Sequence, residues 1–158
     1  MPQGLDSTMI ANKILYAGTP VYQEMEVLTY ANLAPGRLLI QDTLEYQVKV
    51  ATAAKKLEVI GVADVMADKK LTLMQTETAD GAPLTTYATG DQIRVIRGDV
   101  IVKLLLLSGE TINVGERLQA TDTGMVVAYA DAGADIGYAL EDRAGLGTCK
   151  WILVKLTI

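Results

Sequence analysis

Three short blocks of sequence occur twice in this chain, in the same order. Leu33-Ala34-Pro35-Gly36-Arg37-Leu38 resembles Ile112-Asn113-Val114-Gly115-Glu116-Arg117-Leu118. Ile60-Gly61-Val62-Ala63 resembles Ile136-Gly137-Tyr138-Ala139, and Val100-Ile101-Val102-Lys103-Leu104 resembles Ile152-Leu153-Val154-Lys155-Leu156. A duplicated unit restricts the fold to architectures in which two copies of one supersecondary element share a core. The blocks place the units at about residues 32–106 and 111–158, with a longer insert from about Asp64 to Asp99 in the first. Each copy carries a turn glycine, which supplies positive φ. Each also carries a glycine inside a strand, which marks a bulge or a close backbone approach.

The text between the blocks is strand and turn. Tyr46, Val48 and Val50 alternate with polar residues, and Ile93 and Val95 do the same, the period of a half-buried strand. Val100 to Leu107 and Trp151 to Ile158 are nearly continuous apolar runs, the pattern of strands covered on both faces. Turn pairs such as Gly90-Asp91, Gly98-Asp99, Ser108-Gly109 and Thr123-Gly124 punctuate them regularly. The prediction is an all-β fold, a compact barrel or sandwich over residues 32–158, built from two related β units. Ala51 to Lys56 departs from this and could form a helical turn by propensity. Residues 1–31 read as an extended N-terminal arm, because Leu5, Met9, Ile10, Ile14, Leu15 and Tyr16 are apolar without clear period. Asp6 or Ser7 could instead cap a short helix over Asp6 to Leu15.

Composition excludes several functions. The net charge is −5 and there is no basic stripe, which argues against nucleic acid and against an anionic membrane surface. The first six residues carry no secretory pattern, and no apolar run approaches a membrane span. There is no histidine, so Ser–His and Cys–His nucleophiles and histidine metal ligands are absent. One cysteine, Cys149, can form neither an intrachain disulfide nor a zinc cluster, and its place before an apolar strand suits a small filler. Asp131, Asp135, Glu141 and Asp142 lie close in sequence. A carboxylate-only hydrolase would need such a pair, but solvated turn acids explain them more simply. Gly145-Leu146-Gly147-Thr148 reads as a hairpin turn, not a dinucleotide fingerprint. The expectation is a non-enzyme without cofactor or metal. Trp151 serves either the core or an interface.

Two family resemblances follow from these segments. Ser108 to Leu118 looks like the strand–turn–strand of biotinyl and lipoyl carrier domains, but the matching tip, Asp122-Thr123-Gly124-Met125, has no lysine to modify. A wider likeness runs over residues 33–158. Gly90-Asp91-Gln92-Ile93-Arg94-Val95, the strand from Gly98 to Leu104, Val114 to Leu118, Ile136 to Glu141 and the last apolar strand resemble the small capsid decoration, or cement, proteins of tailed bacteriophages. That resemblance implies a virion protein on the outer capsid surface, made in the host cytoplasm. It implies a homotrimer that clamps neighbouring subunits of the major capsid protein. It also implies that residues 1 to about 22 can add a strand to the capsid. The contact candidates are then Leu5, Met9, Ile10, Ile14, Tyr16, Tyr22 and Trp151. The alternatives are a head spike base or tail part, or a small non-catalytic β-barrel binding module.

Overall fold

A computed structural model describes residues 14–52, 58–65, 79–83, 86–131 and 134–158. Among these, the strands are β1 (Leu15–Ala17), β2 (Val21–Val27), β3 (Leu38–Gln41), β4 (Gln47–Val50), β5 (Gly61–Ala63), β6 (Gln92–Arg97), β7 (Ile101–Leu106), β8 (Thr111–Ile112), β9 (Arg117–Ala120), β10 (Val126–Ala128), β11 (Asp135–Ala139), β12 (Arg143–Ala144) and β13 (Lys150–Leu156). Strands β2-β4-β3-β5-β6 close a first barrel. Its interior takes alternate residues of each strand: Met25 and Val27, Leu39, Val48 and Val50, Ala63, Ile93 and Val95. The period-2 text read in β4 and β6 is this inside–outside alternation. Strands β7-β10-β9-β11-β13 form a second ring, closed by β7 pairing with β13.

The two rings share topology and register. β2 runs parallel to β4 as β7 does to β10, and all their other ring pairings are antiparallel. Hydrogen bonds repeat as well. Gly36 N–H donates to Ala63 O at 2.9 Å, and Gly115 N–H to Ala139 O at 2.8 Å. Ala63 N–H donates to Arg37 O and Ala139 N–H to Glu116 O, both at 2.9 Å. The strand glycines are also equivalent. A Cβ on Gly61 would stand 2.6 Å from Ile96 O, and Gly137, at φ 145°, lies against Lys155 O beside a register shift in β11. The duplication therefore extends to single hydrogen bonds.

The structure moves two sequence boundaries. Val100 to Leu104 and Ile152 to Leu156 are not counterparts: β7 and β13 pair with each other in the second ring, Leu104 opposite Ile152. The counterpart of β13 is β6, and that of β7 is β2. Within these blocks, two strands of one barrel, each apolar on both faces save for one outward lysine, Lys103 and Lys155, had the same composition for the same reason. The turn block also aligns one residue differently, with Leu39 rather than Leu38 matching Leu118, because both lie opposite the strand glycine of their unit. Much of the arm expected over residues 1–31 is paired sheet instead. β1 pairs with β7, and β2 is a full barrel strand whose Met25 and Val27 point inward. Residues 1–13, and 53–56 of the segment Ala51 to Lys56 read as a helical turn, lie outside the described residues.

The barrels are joined through opposite walls. The outer face of β3, β5 and β6 in the first barrel presents Leu38, Ile40, Val62 and Ile96, all buried in one cluster with the second barrel's core. From the second barrel, Trp151 lies on the Pro35-Gly36 turn, where a Cβ on Gly36 would stand 2.6 Å from the indole. Gly36 has φ 83°, so a side chain there meets both backbone strain and the ring. Arg37, 1% exposed, donates to Thr123 O at 2.6 Å and to Gly81 O, tying both barrels and the insert together. Burial lowers its guanidinium to about 10, so it stays charged at neutral pH. Leu38 N–H donates to Gly124 O at 2.9 Å. Trp151→Ala should cost about 3–5 kcal/mol, and Gly36→Val at least about 2 kcal/mol. Urea unfolding followed by circular dichroism measures both, and a loss below about 1 kcal/mol for either would contradict this joint.

Candidate interaction surface

The described contact residues expected from sequence, Ile14, Tyr16, Tyr22 and Trp151, do not form one surface. Leu5, Met9 and Ile10 lie outside the described residues. Ile14 is fully buried, its Cδ1 3.3 Å from where a Cβ on Gly36 would be, and Trp151 is 5% exposed. Both are spent on the joint inside one chain. Tyr16 is half-buried on β1. Tyr22 is exposed on β2, with the Arg94 guanidinium 4.8 Å from its ring centre.

The carboxylates considered for chemistry are also engaged separately. Asp135 pairs with Arg117, and Asp131 accepts from Tyr129 Oη at 2.9 Å. Glu141 pairs with Arg143 at 2.9 Å and accepts Leu153 N–H, while Asp142 accepts Val114 N–H at 2.7 Å. Among the described residues no three Asp, Glu or Cys side chains are grouped as metal ligands. Cys149 is buried, its Sγ 2.9 Å from where a Cβ on Gly81 would stand.

A surface the sequence did not point to lies at one end of the first barrel. Leu28 and Tyr30 follow β2, and Leu44 and Tyr46 sit in the β3–β4 tip; all four are exposed large apolar side chains. Because β2 and β4 are parallel and Glu26 lies opposite Gln47, the end of β2 and the start of β4 are at the same end. Asp42 locks the two loops together. Its carboxylate accepts Thr29 N–H at 3.2 Å from one loop and Thr43 N–H at 2.8 Å from the other, with Lys49 Nζ at 3.6 Å. Tyr46 sits at φ 64°, a costly conformation for a bulky residue, and its carbonyl accepts Glu26 N–H at 2.8 Å. Apolar side chains held outward by a charged hydrogen-bond hub and a strained backbone form a preorganised contact surface. The signal available in sequence was Leu44-Glu45-Tyr46 in a turn, with no polar-to-apolar contrast to flag it.

No family model and no curated protein matches the chain. Among solved structures, it is similar to the head fiber gp8.5 N base of bacteriophage phi29, at 16% identity and a TM-score of 0.46. That similarity covers 88% of this chain and 95% of the other.

Asp42 makes the surface pH-sensitive. Burial alone would raise its carboxyl, but hydrogen bonds from Thr29 and Thr43 and the charge of Lys49 outweigh burial and hold it below 3.8. A depressed folded-state value stabilises the fold above the unfolded value and is lost as pH falls through the folded one. Asp42→Asn should cost about 1–3 kcal/mol at pH 7. The difference from wild type should shrink below about pH 4. Paired urea titrations at pH 7 and pH 3 check this, and an equal difference at both would refute it.

Proposed function

We propose that the chain is a structural protein of a tailed-phage head. It binds the outer surface of the assembled capsid and clamps neighbouring subunits of the major capsid protein. The observation that supports this best is the apolar end of the first barrel, where Leu28, Tyr30, Leu44 and Tyr46 are held exposed by Asp42. It is a surface built for contact rather than for chemistry. The sequence resemblance to capsid decoration proteins supplies the partner class. The doubled barrel suits a clamp, since its joint is a packed core and the contact surface is carried on a rigid body. As a homotrimer the protein would present three such surfaces, so that individually modest contacts add through avidity.

Co-sedimentation with assembled shells of the capsid protein from the same virus tests the reading. The chain should pellet with expanded shells and not with free subunits, and native mass spectrometry should give a trimer. The double variant Leu44→Asp and Tyr46→Asp should keep the wild-type melting temperature and bind at least about tenfold more weakly. Incorporation only at a single vertex or in the tail would favour a spike base or tail part. Failure to bind any head, tail or shell preparation would overturn the proposal.

A further inference from the structure

The duplication exposes a difference between the barrels at one strand edge. In the second barrel, β7 has β13 along one edge; the other edge is shared by β10 at Leu106 and β1 at Ile101 and Val102. Lys103 N–H points to that shared edge and donates to Ile14 O at 2.8 Å. In the first barrel, β2 occupies the place of β7. It has β6 along one edge from Val21 to Glu26, but β4 covers only Glu26 and Val27 on the other. Among the described residues nothing pairs with the rest of that edge. Alternation fixes which groups are open. Glu26 N–H points to the β4 side, toward Tyr46 O, so the amides and carbonyls of Tyr22 and Glu24 face the same way. Glu24 is the counterpart of Lys103, whose amide is the one β1 satisfies.

The side chains around this edge define what it would accept. Val21 is 59% exposed and Tyr22 43%, and Tyr46 begins where the open stretch ends. Glu24 and Glu26 share the outer face with Tyr22, and among the described residues neither carboxylate has an ion-pair partner within 4.0 Å. Arg94, opposite Glu24 on β6, is already paired with Asp64 at 3.0 Å, and Arg97 is turned to Gln23 at 3.3 Å. Two β2 edges side by side would bring four of these carboxylates together, which disfavours a second copy. A segment with Lys or Arg on one face complements them.

We propose that the open edge of β2, from Val21 to Glu24, is a docking site for an extended, basic segment of a partner protein. The segment adds as an antiparallel strand, in the position β1 holds on β7. Its Lys or Arg residues meet Glu24 and Glu26 on the face those carboxylates share with Tyr22, and its apolar residues lie on the other face, with Val21. The site stands on strand pairing and charge alone and does not depend on the capsid reading.

The test is amide hydrogen exchange on the full chain, with and without a capped synthetic peptide of alternating Lys and Val, and with a Glu–Val peptide as control. In the free protein the Tyr22 and Glu24 amides should exchange fast while Gln23 and Met25, paired to β6, exchange slowly. The Lys–Val peptide should slow Tyr22 and Glu24 by about tenfold or more, and the Glu–Val peptide should not. The surface double variant Glu24→Lys and Glu26→Lys should reverse that preference with the melting temperature unchanged. Glu24→Pro, which removes one open donor, should abolish protection by either peptide. Slow exchange at Tyr22 and Glu24 in the free protein, protection confined to other strands, or an unchanged preference in the charge-reversed variant would each overturn the proposal.

Discussion

The seating of Trp151 on the Pro35-Gly36 turn is the contact on which the rest of the molecule depends. Neither barrel of this length buries much apolar surface alone. The joint lets each use an outer wall as well as an interior. Leu38, Ile40, Val62 and Ile96 face outward from the first barrel and would be exposed without the second. Trp151 fits only because residue 36 has no side chain, and Arg37 sits beside it because its guanidinium finds the carbonyls of Thr123 and Gly81. A buried cation without such acceptors would cost several kcal/mol. Here it fastens three segments distant in sequence.

The joint is heterologous: the β3, β5 and β6 wall of one unit meets the β7 and β13 wall of the other. Repeating units joined this way can stack without limit. The sequence differences between the units stop the stack at two. The outward positions filled by Leu38, Ile40, Val62 and Ile96 in the first barrel hold Arg117, Gln119, Tyr138 and Lys155 in the second. On the other wall, Trp151, Leu153 and Leu105 give way to Gln92, Arg94 and Glu26 in the first barrel. The tip differs as well. Gly124 approaches Leu38 so closely that a Cβ would stand 2.9 Å from its carbonyl, whereas the equivalent tip residue of the first barrel, also at positive φ, is Tyr46. A tyrosine there cannot make the same joint. Its ring is left facing solvent, beside Leu44.

This division of labour explains what the sequence disclosed. The duplication, the turn glycines and the strand glycines were legible because backbone geometry imposes them: Gly36 and Gly115, Gly61 and Gly137, occupy the same places in both units. Strand alternation in β4 and β6 was legible for the same reason. The unit boundary was not. β7 and β13 share a composition because each faces a barrel interior and the joint, and the same pattern in two strands of one barrel imitates a repeat. The surface was least legible of all. Ile14 and Trp151 are apolar in positions that suggest contact with a partner, but the partner is the other half of the same chain. Leu44 and Tyr46 stand exposed where a carboxylate thirteen residues from Thr29 ties two loops together, a relation no local pattern encodes.

The placement of β1 shows how the two barrels are kept in one orientation. The chain crosses between them at Gly98-Asp99, where β6 leads into β7. That covalent link alone would permit a hinge. β1 supplies a second link. It is tied to β2 of the first barrel through Gly18-Thr19-Pro20, yet it pairs with β7 of the second, and Gly18 packs against Val100 at the crossing. A hinge motion at residue 98 would have to break the β1–β7 ladder and lift Ile14 from beneath Gly36. By spending its first described strand on the second barrel, the chain gains a strap across the joint. Among the described residues the cost is an open edge on β2, since the strand that could have covered it in a simple hairpin has been used to hold the barrels together.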